Sequence, residues 1–458
     1  MKDRLYLLEN EKIGKLIFSF SVPTVIGLLV NATYIVIDRI FVGNGVGSVA
    51  LTSMAIVFPI LIVTLAFSML TGIGSTALIS IKLGEKNKDE AEMILGNAFV
   101  LALILGTILS VSFYFALESI LIAFGAQGEV LSNAKSFCVV LIPFTFVQLT
   151  LFTLNNNIRG QGDPKTCMIT MLFTSIVNII LNAFFIFILK LGIKGSALAT
   201  VIAQSLGMIW VISYFFSKRS ILKFRISYMK LRLPIIKEIF SIGFPSFIMQ
   251  IAASAIVIII NTELKKYGGD LAIASYGIVN STLSLFLMPI FGINQGIQPI
   301  FGYNFGAKKF DRLKQTLKSA MIIATIICLF GFLIIYFFSD SVVSLFSDGD
   351  MELIAISSHG LRIFVLVFPV AGFQIILSSY FQSIGKAKHA LFFILLRQVI
   401  AFVAFLYILP RFFHLDGVWL SAPAADTFSG IVMVFFLIYE WRYLEKMKKT
   451  YSLDTAAL

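Results

Sequence analysis

The chain has 458 residues, of which 58% are apolar and only 13% charged, and Phe alone accounts for 46. A water-soluble domain carries roughly 25% charged residues, so there is too little polar surface here to coat a soluble fold of this size. The same figures exclude a disordered chain, a disulfide scaffold and a nucleic-acid binder, and the net charge of +12 has to be read by where it sits.

Along the chain, twelve apolar runs follow one another near 14–38, 48–80, 93–117, 131–154, 166–189, 195–217, 238–262, 271–301, 316–338, 355–380, 389–409 and 416–439. Each has about the 20 residues that a helix needs to cross a bilayer. The ten-residue alternating segments of a β-barrel are absent. The expectation is an all-α polytopic membrane protein with twelve transmembrane helices. The first run lacks a small-residue cleavage site and is expected to stay as the first span. Turn chemistry fills the connections, as in Gly84-Glu85-Lys86-Asn87-Lys88. Cys138, Cys167 and Cys328, like His359, His389 and His414, are scattered singly, so spacing builds no redox or metal site.

Lys and Arg set the orientation. With both ends on one side, 27 of the 36 fall on that side and 7 on the other, Arg362 and Arg397 lying within spans. Such an asymmetry predicts cytoplasmic N- and C-termini. The basic run 218–237 reads as a cytoplasmic linker between an N-lobe over 1–217 and a C-lobe over 238–439, with a cytoplasmic tail at 440–458.

The two lobes repeat. Ser21-Val22-Pro23 answers Gly243-Phe244-Pro245, Leu83-Gly84-Glu85-Lys86 answers Phe305-Gly306-Ala307-Lys308, and Gly195-Ser196-Ala197-Leu198 answers Gly417-Val418-Trp419-Leu420, each pair offset by 222. Six spans per half is an even number, so both halves point the same way. They are expected to be related by a pseudo-two-fold axis along the membrane normal, the arrangement of parallel-repeat transporters.

Among the 24 acidic residues, only Asp38 and Asp426 interrupt apolar runs. A carboxylate at mid-bilayer costs about 2.5–3.5 kcal/mol on insertion scales and so needs a cavity or a partner. Asp38 falls in the outer half of span 1, and Asn31 shares its face. Asn178 and Asn182 share one face of span 5, and Thr200 lies early in span 6 at the same depth. These groups predict a site for an ion or a proton; the other reading is that Asp38 merely ends a helix. The matching second-lobe positions are mostly apolar, Ile260 for Asp38 among them. There, Arg397 and Asp426 come within reach of one another by depth, as a structural ion pair or as a second proton-linked site. Pro23 removes a backbone donor and is expected to let span 1 bend.

Several motifs resemble the multidrug and toxic compound extrusion (MATE) transporters. Pro23…Asn31…Asp38-Arg39-Ile40-Phe41-Val42-Gly43 is similar to that family's first helix. Arg159-Gly160-Gln161-Gly162-Asp163-Pro164, Asn178-Ile179-Ile180-Leu181-Asn182 and Gly195-Ser196-Ala197-Leu198-Ala199-Thr200 are similar to its 4–5 loop and its fifth and sixth helices. In the second half, Ala274-Ser275-Tyr276-Gly277 and Leu415-Asp416-Gly417-Val418-Trp419 resemble the bacterial DinF/MepA-like branch. The resemblance implies a transporter, not an enzyme, of the bacterial cytoplasmic membrane. It would export organic cationic drugs and dyes by antiport with H⁺ or Na⁺ through alternating access of two lobes. It would work as a monomer among membrane lipids, with no cofactor beyond the coupling ion. The family's first-lobe cation site would fall on Asp38, Asn178, Asn182 and Thr200. The chain departs from the family in having Asn182 where Asp is common, which leaves one carboxylate to hold a sodium ion. An alternative within the same superfamily is a flippase of lipid-linked oligosaccharides.

Overall fold

The computed structural model describes residues 2–347 and 350–456. Nearly all of them are helical, and no strand occurs among them. The first six spans are Ile13–Gly45, Ser48–Gly84, Lys88–Ala123, Gly128–Gly160, Pro164–Ile188 and Ile193–Phe216. A 74-residue helix, Leu233–Gly306, comes next. At 1.5 Å per residue it would be about 110 Å long, far more than the roughly 40–45 Å of a bilayer with its headgroups. It is in fact two spans, 233–268 and 270–306, because Gly269 leaves the helical region at φ 68° and ψ −162°. Spans 9 to 11 are Phe310–Phe337, then Met351–Phe364 joined to Phe368–Ser383 across a 54° bend, then Ala387–Ile408. Span 12 lies in the helix Pro410–Ala456, beyond a break at His414. Twelve spans result among the described residues.

Several helices overrun their apolar runs, and span 3 does so at a cap. Asn87 accepts from the backbone N–H of Glu90, so span 3 starts at Lys88 while still in the charged turn. The tail expected from residue 440 is a continuation of the last helix, and Glu440 is 1% exposed, held at 2.6 Å by Lys386 and at 3.0 Å by Tyr380. A nine-residue helix, Lys2–Asn10, precedes span 1. The linker is folded down on the first lobe: Gln161 Oε1 accepts from the backbone N–H groups of Ile221 and Leu222, and Asn97 Oδ1 from that of Arg232.

The 222-residue offset is visible in the backbone. Gly47 and Gly269 both take positive φ ahead of spans 2 and 8, Lys86 and Lys308 do so in the turns that follow them, and Gly192 and His414 ahead of spans 6 and 12. Where spans 2 and 8 cross, the contact is reciprocal. A Cβ on Gly84 would enter the carbonyl of Tyr303, and a Cβ on Gly306 would enter that of Ile81, the residue 222 before Tyr303. A contact that maps onto itself in this way lies on a two-fold axis.

This crossing lies on the face that carries both termini and most of the basic residues. Towards that face, residues 70–81 of span 2 and 296–304 of span 8 are buried on every side. Phe67 meets Phe247 of span 7 with ring centroids 5.0 Å apart, and Gly243 of span 7 lies against the Leu70 carbonyl. Towards the opposite face, span 2 buries only Ser53, Val57 and Ile60 between residues 51 and 60, a single stripe. The lobes are joined at the basic face, and towards the other face span 2 is packed on one side only.

Candidate functional site

Three helix starts set the depth of the first-lobe polar groups. Asp163 caps span 5 by accepting from the N–H of Thr166 at 3.2 Å, with Pro164 as the first helical residue. That fixed start brings Asn178 and Asn182, one helical turn apart, to the buried face. Gly192, at φ 60°, starts span 6 one residue later and puts Ser196 and Thr200 on one face of its first two turns. Span 1 enters from the basic face as one unbroken helix, with Pro23 buried inside it, and delivers Asp38 near its far end.

The Asp38 carboxylate accepts from Asn182 Nδ2 and, at 2.7 Å, from Ser196 Oγ. Beside it, Asn178 Nδ2 donates to Thr200 Oγ1 at 3.1 Å. The amide oxygens of both Asn178 and Asn182 are buried without a hydrogen-bond partner. A buried acceptor left empty costs about 1–3 kcal/mol, and two occur here beside one carboxylate and two hydroxyls. An all-oxygen set of this kind suits a small hard cation or a proton. Asn31 is not part of the cluster: seven residues before Asp38 it lies about 10 Å away along the helix. Ser196 also belongs to the cluster, one turn before Thr200 on the same face, where its spacing was the only signal in the sequence.

A second cluster lies in the C-lobe. Arg397 Nε donates to Asp426 Oδ1 at 2.7 Å, and Nη2 reaches Oδ2 at 3.5 Å. The pair is largely enclosed, with side-chain exposures of 27% and 17%. Gln374 Nε2 donates to the Asp426 carbonyl at 2.7 Å and to Ser429 Oγ at 3.0 Å, leaving its own Oε1 and that of Gln398 unpartnered. In both lobes the helix widens at the cluster. A π-helical turn, Phe184–Ile188, follows Asn182, and another, Leu395–Ala401, contains Arg397. Such turns recur at functional sites, and no pattern of residue types announces them.

Two arginines reach across to other helices. Arg362, in the first half of span 10, donates to Ser339 Oγ at 2.6 Å and to Asp340 Oδ2 at 2.8 Å. Arg159, counted as a loop residue, is 2% exposed and donates across the lobe interface to Gln295 Oε1 at 2.8 Å.

Comparison with known proteins fits this architecture. The MatE family model matches twice, at residues 23–184 and 245–408, so its two matches begin 222 residues apart, at Pro23 and Pro245. The chain is 29% identical over 451 residues to the multidrug export protein MepA of Staphylococcus saprophyticus, covering 97% of this chain and 99% of that protein. Its fold is similar to the outward-facing conformation of a multidrug resistance MATE family transporter of the MOP superfamily. That likeness has a TM-score of 0.90 at 25% identity and covers 97% of this chain and 99% of the other. A MATE structure in the bent conformation gives a TM-score of 0.91 at the same identity and coverage. With well over half of the chain matched to the family model, the protein belongs to the MatE family, the multidrug and toxic compound extrusion transporters.

Proposed function

We propose that the protein is a multidrug exporter of the bacterial cytoplasmic membrane that moves organic cationic drugs outward in exchange for H⁺ or Na⁺. The observation that carries this reading is the Asp38 carboxylate with the empty amide oxygens of Asn178 and Asn182 beside it, on the side away from the basic face where spans 2 and 8 close on one another. With the basic face in the cytoplasm, as the charge asymmetry favours, that side is the outside and the state described is outward-open. An ion arriving from outside meets Asp38 first. A proton would neutralise the carboxylate and let it donate to an amide oxygen. A sodium ion would be held by the carboxylate, the amide oxygens, and the Ser196 and Thr200 hydroxyls, once the Asn182 amide turns its oxygen inward. Either event changes the charge facing span 1, whose ladder already lacks one hydrogen bond at Pro23. A bend there would couple ion entry to drug release, provided that the ion and the drug prefer different states. The Arg397–Asp426 pair serves in this scheme as the structural tie of the second lobe, and the drug path runs between the lobes.

The test is efflux of a dye cation from loaded vesicles under an imposed pH or Na⁺ gradient. Gradient-dependent efflux that disappears in Asp38→Asn supports the reading. Efflux that ignores both gradients, or that persists in the variant, refutes it.

A further inference from the structure

The helix Lys2–Asn10 touches both lobes, and its two ends are held by opposite partners. Near its start, Arg4 Nη1 lies 2.7 Å from Asp163 Oδ2 and 3.0 Å from the Tyr214 hydroxyl, both in the first lobe, and 3.1 Å from the Arg219 carbonyl at the start of the linker folded on that lobe. Leu8, 1% exposed, packs beside Gly162 of the same lobe. At its other end the partners belong to the second lobe. Lys309 Nζ lies 3.0 Å from Glu9 Oε1 and donates to the Glu9 carbonyl at 3.3 Å. Arg312 Nη2 donates to the carbonyls of Leu8 and Glu11, at 3.2 and 2.8 Å. Those carbonyls belong to the helix end, where the last C=O groups have no intrahelical partner and the macrodipole is negative, so two cations are the complement that end needs. Arg312 is itself aimed by Asn304 of span 8, fully buried, whose Oδ1 accepts from Nε at 3.2 Å.

We propose that Lys309 and Arg312 latch the second lobe to the first through this helix and thereby hold the basic side of the transporter closed. Both sets of contacts cannot survive a parting of the lobes at that face. If the helix stays with Asp163 and Tyr214, it leaves Lys309 and Arg312; if it follows them, Arg4 leaves Asp163. The residues act on transport through the position of the lobes and touch neither ion nor drug. The inference rests on the alternating-access reading above, because a latch matters only to a protein that opens on this side.

The experiment measures the lobe separation directly. Nitroxide labels at Lys165→Cys and Lys388→Cys occupy equivalent, exposed positions at the starts of spans 5 and 11, while Cys138, Cys167 and Cys328 are buried. Electron–electron distance measurements in nanodiscs should give mainly the short, closed separation in the otherwise unaltered chain. Arg312→Gln and Lys309→Gln should each raise the ratio of long to short separations by about tenfold, the scale of one charged hydrogen bond. Arg4→Gln, which frees the opposite end, should do the same. Exchanging the charges, Glu9→Lys with Lys309→Glu, should return the ratio towards its starting value, a rescue that general damage to the fold would not allow. Gel filtration keeps misfolded variants out of the comparison. Unchanged separations in all three single variants overturn the latch, as does a charge exchange that fails to restore the closed form. Dye efflux by the unaltered chain is measured in parallel: its absence, with the distance shifts present, would count against export and leave the latch standing.

Discussion

Asp38 has two donors, Asn182 and Ser196, and neither carries a charge. Its carboxylate is hydrogen-bonded by neutral groups alone and is open to a titrating or binding cation, whereas Asp426 already has Arg397 at 2.7 Å. The two residues should respond differently to the same change. Asp38→Asn keeps shape and volume, so folding and membrane insertion should be unaffected while gradient-driven efflux falls to background. Asp426→Asn should leave measurable efflux but lower the melting temperature. Arg397→Ala should destabilise further, by about 3–5 kcal/mol, because the Asp426 charge would remain enclosed and unpaired; a thermal-melt series in detergent checks the order. If Arg397→Ala melts with the unaltered protein yet no longer exports, the pair is functional and not structural. Asp38, Asn178, Asn182 and Thr200 were legible in the sequence because a polar group inside an apolar run is expensive and helical spacing fixes its face and depth. Asn31 met the face criterion but stands two turns away. Ser196 was hidden because a small hydroxyl between Gly195 and Ala197 reads as close packing.

Spans 2 and 8 cross so closely that Gly84 and Gly306 have no room for a side chain: a Cβ on either would enter a backbone carbonyl of the other span. Because this is backbone against backbone, no rotamer change relieves it. Gly84→Val and Gly306→Val should each force the lobes apart at the basic face and lengthen the Lys165→Cys to Lys388→Cys separation. The latch helix should answer to acid. Lys309 donates to the Glu9 carboxylate and, with Lys86 and Arg312 nearby, holds it below its ordinary value of 4.5. A lowered carboxyl contributes its stability above the ordinary value and loses it as the pH falls through the lowered one. The pair should thus be intact across neutral pH and open only in acid below 4.5, which a pH series of the same distance measurement reads. Span number and order were legible because a run of about twenty apolar residues is what a membrane-crossing helix needs. The 54° bend between Phe364 and Phe368, the π-helical turns and the helix Lys2–Asn10 were not. They arise where one element must fit another, and the residue types there fit a straight helix or a plain tail equally well.

For the molecule as a whole, direction follows from which face is cytoplasmic. Of the 36 Lys and Arg residues, the face carrying both termini holds most, including the cationic turns around Lys86 and Lys308 and the charged end of the last helix from Arg442 to Lys449. Moving that face across a bilayer during insertion is disfavoured, which is the basis of the positive-inside rule. The same face is the one where spans 2, 7 and 8 close on one another, and Asp38 lies towards the opposite one. Orientation, the open side of the path and the entry of the ion are therefore one question with one answer. A membrane-impermeant maleimide should label Lys190→Cys, exposed between spans 5 and 6, on intact cells. It should reach Lys448→Cys, exposed on the last helix, only after permeabilisation. The reverse pattern would make the state described here inward-open and put Asp38 on the cytoplasmic side. An inward gradient of H⁺ or Na⁺ would then reach the carboxylate only after the lobes had changed places, and the sequence of ion entry followed by drug release would have to be inverted.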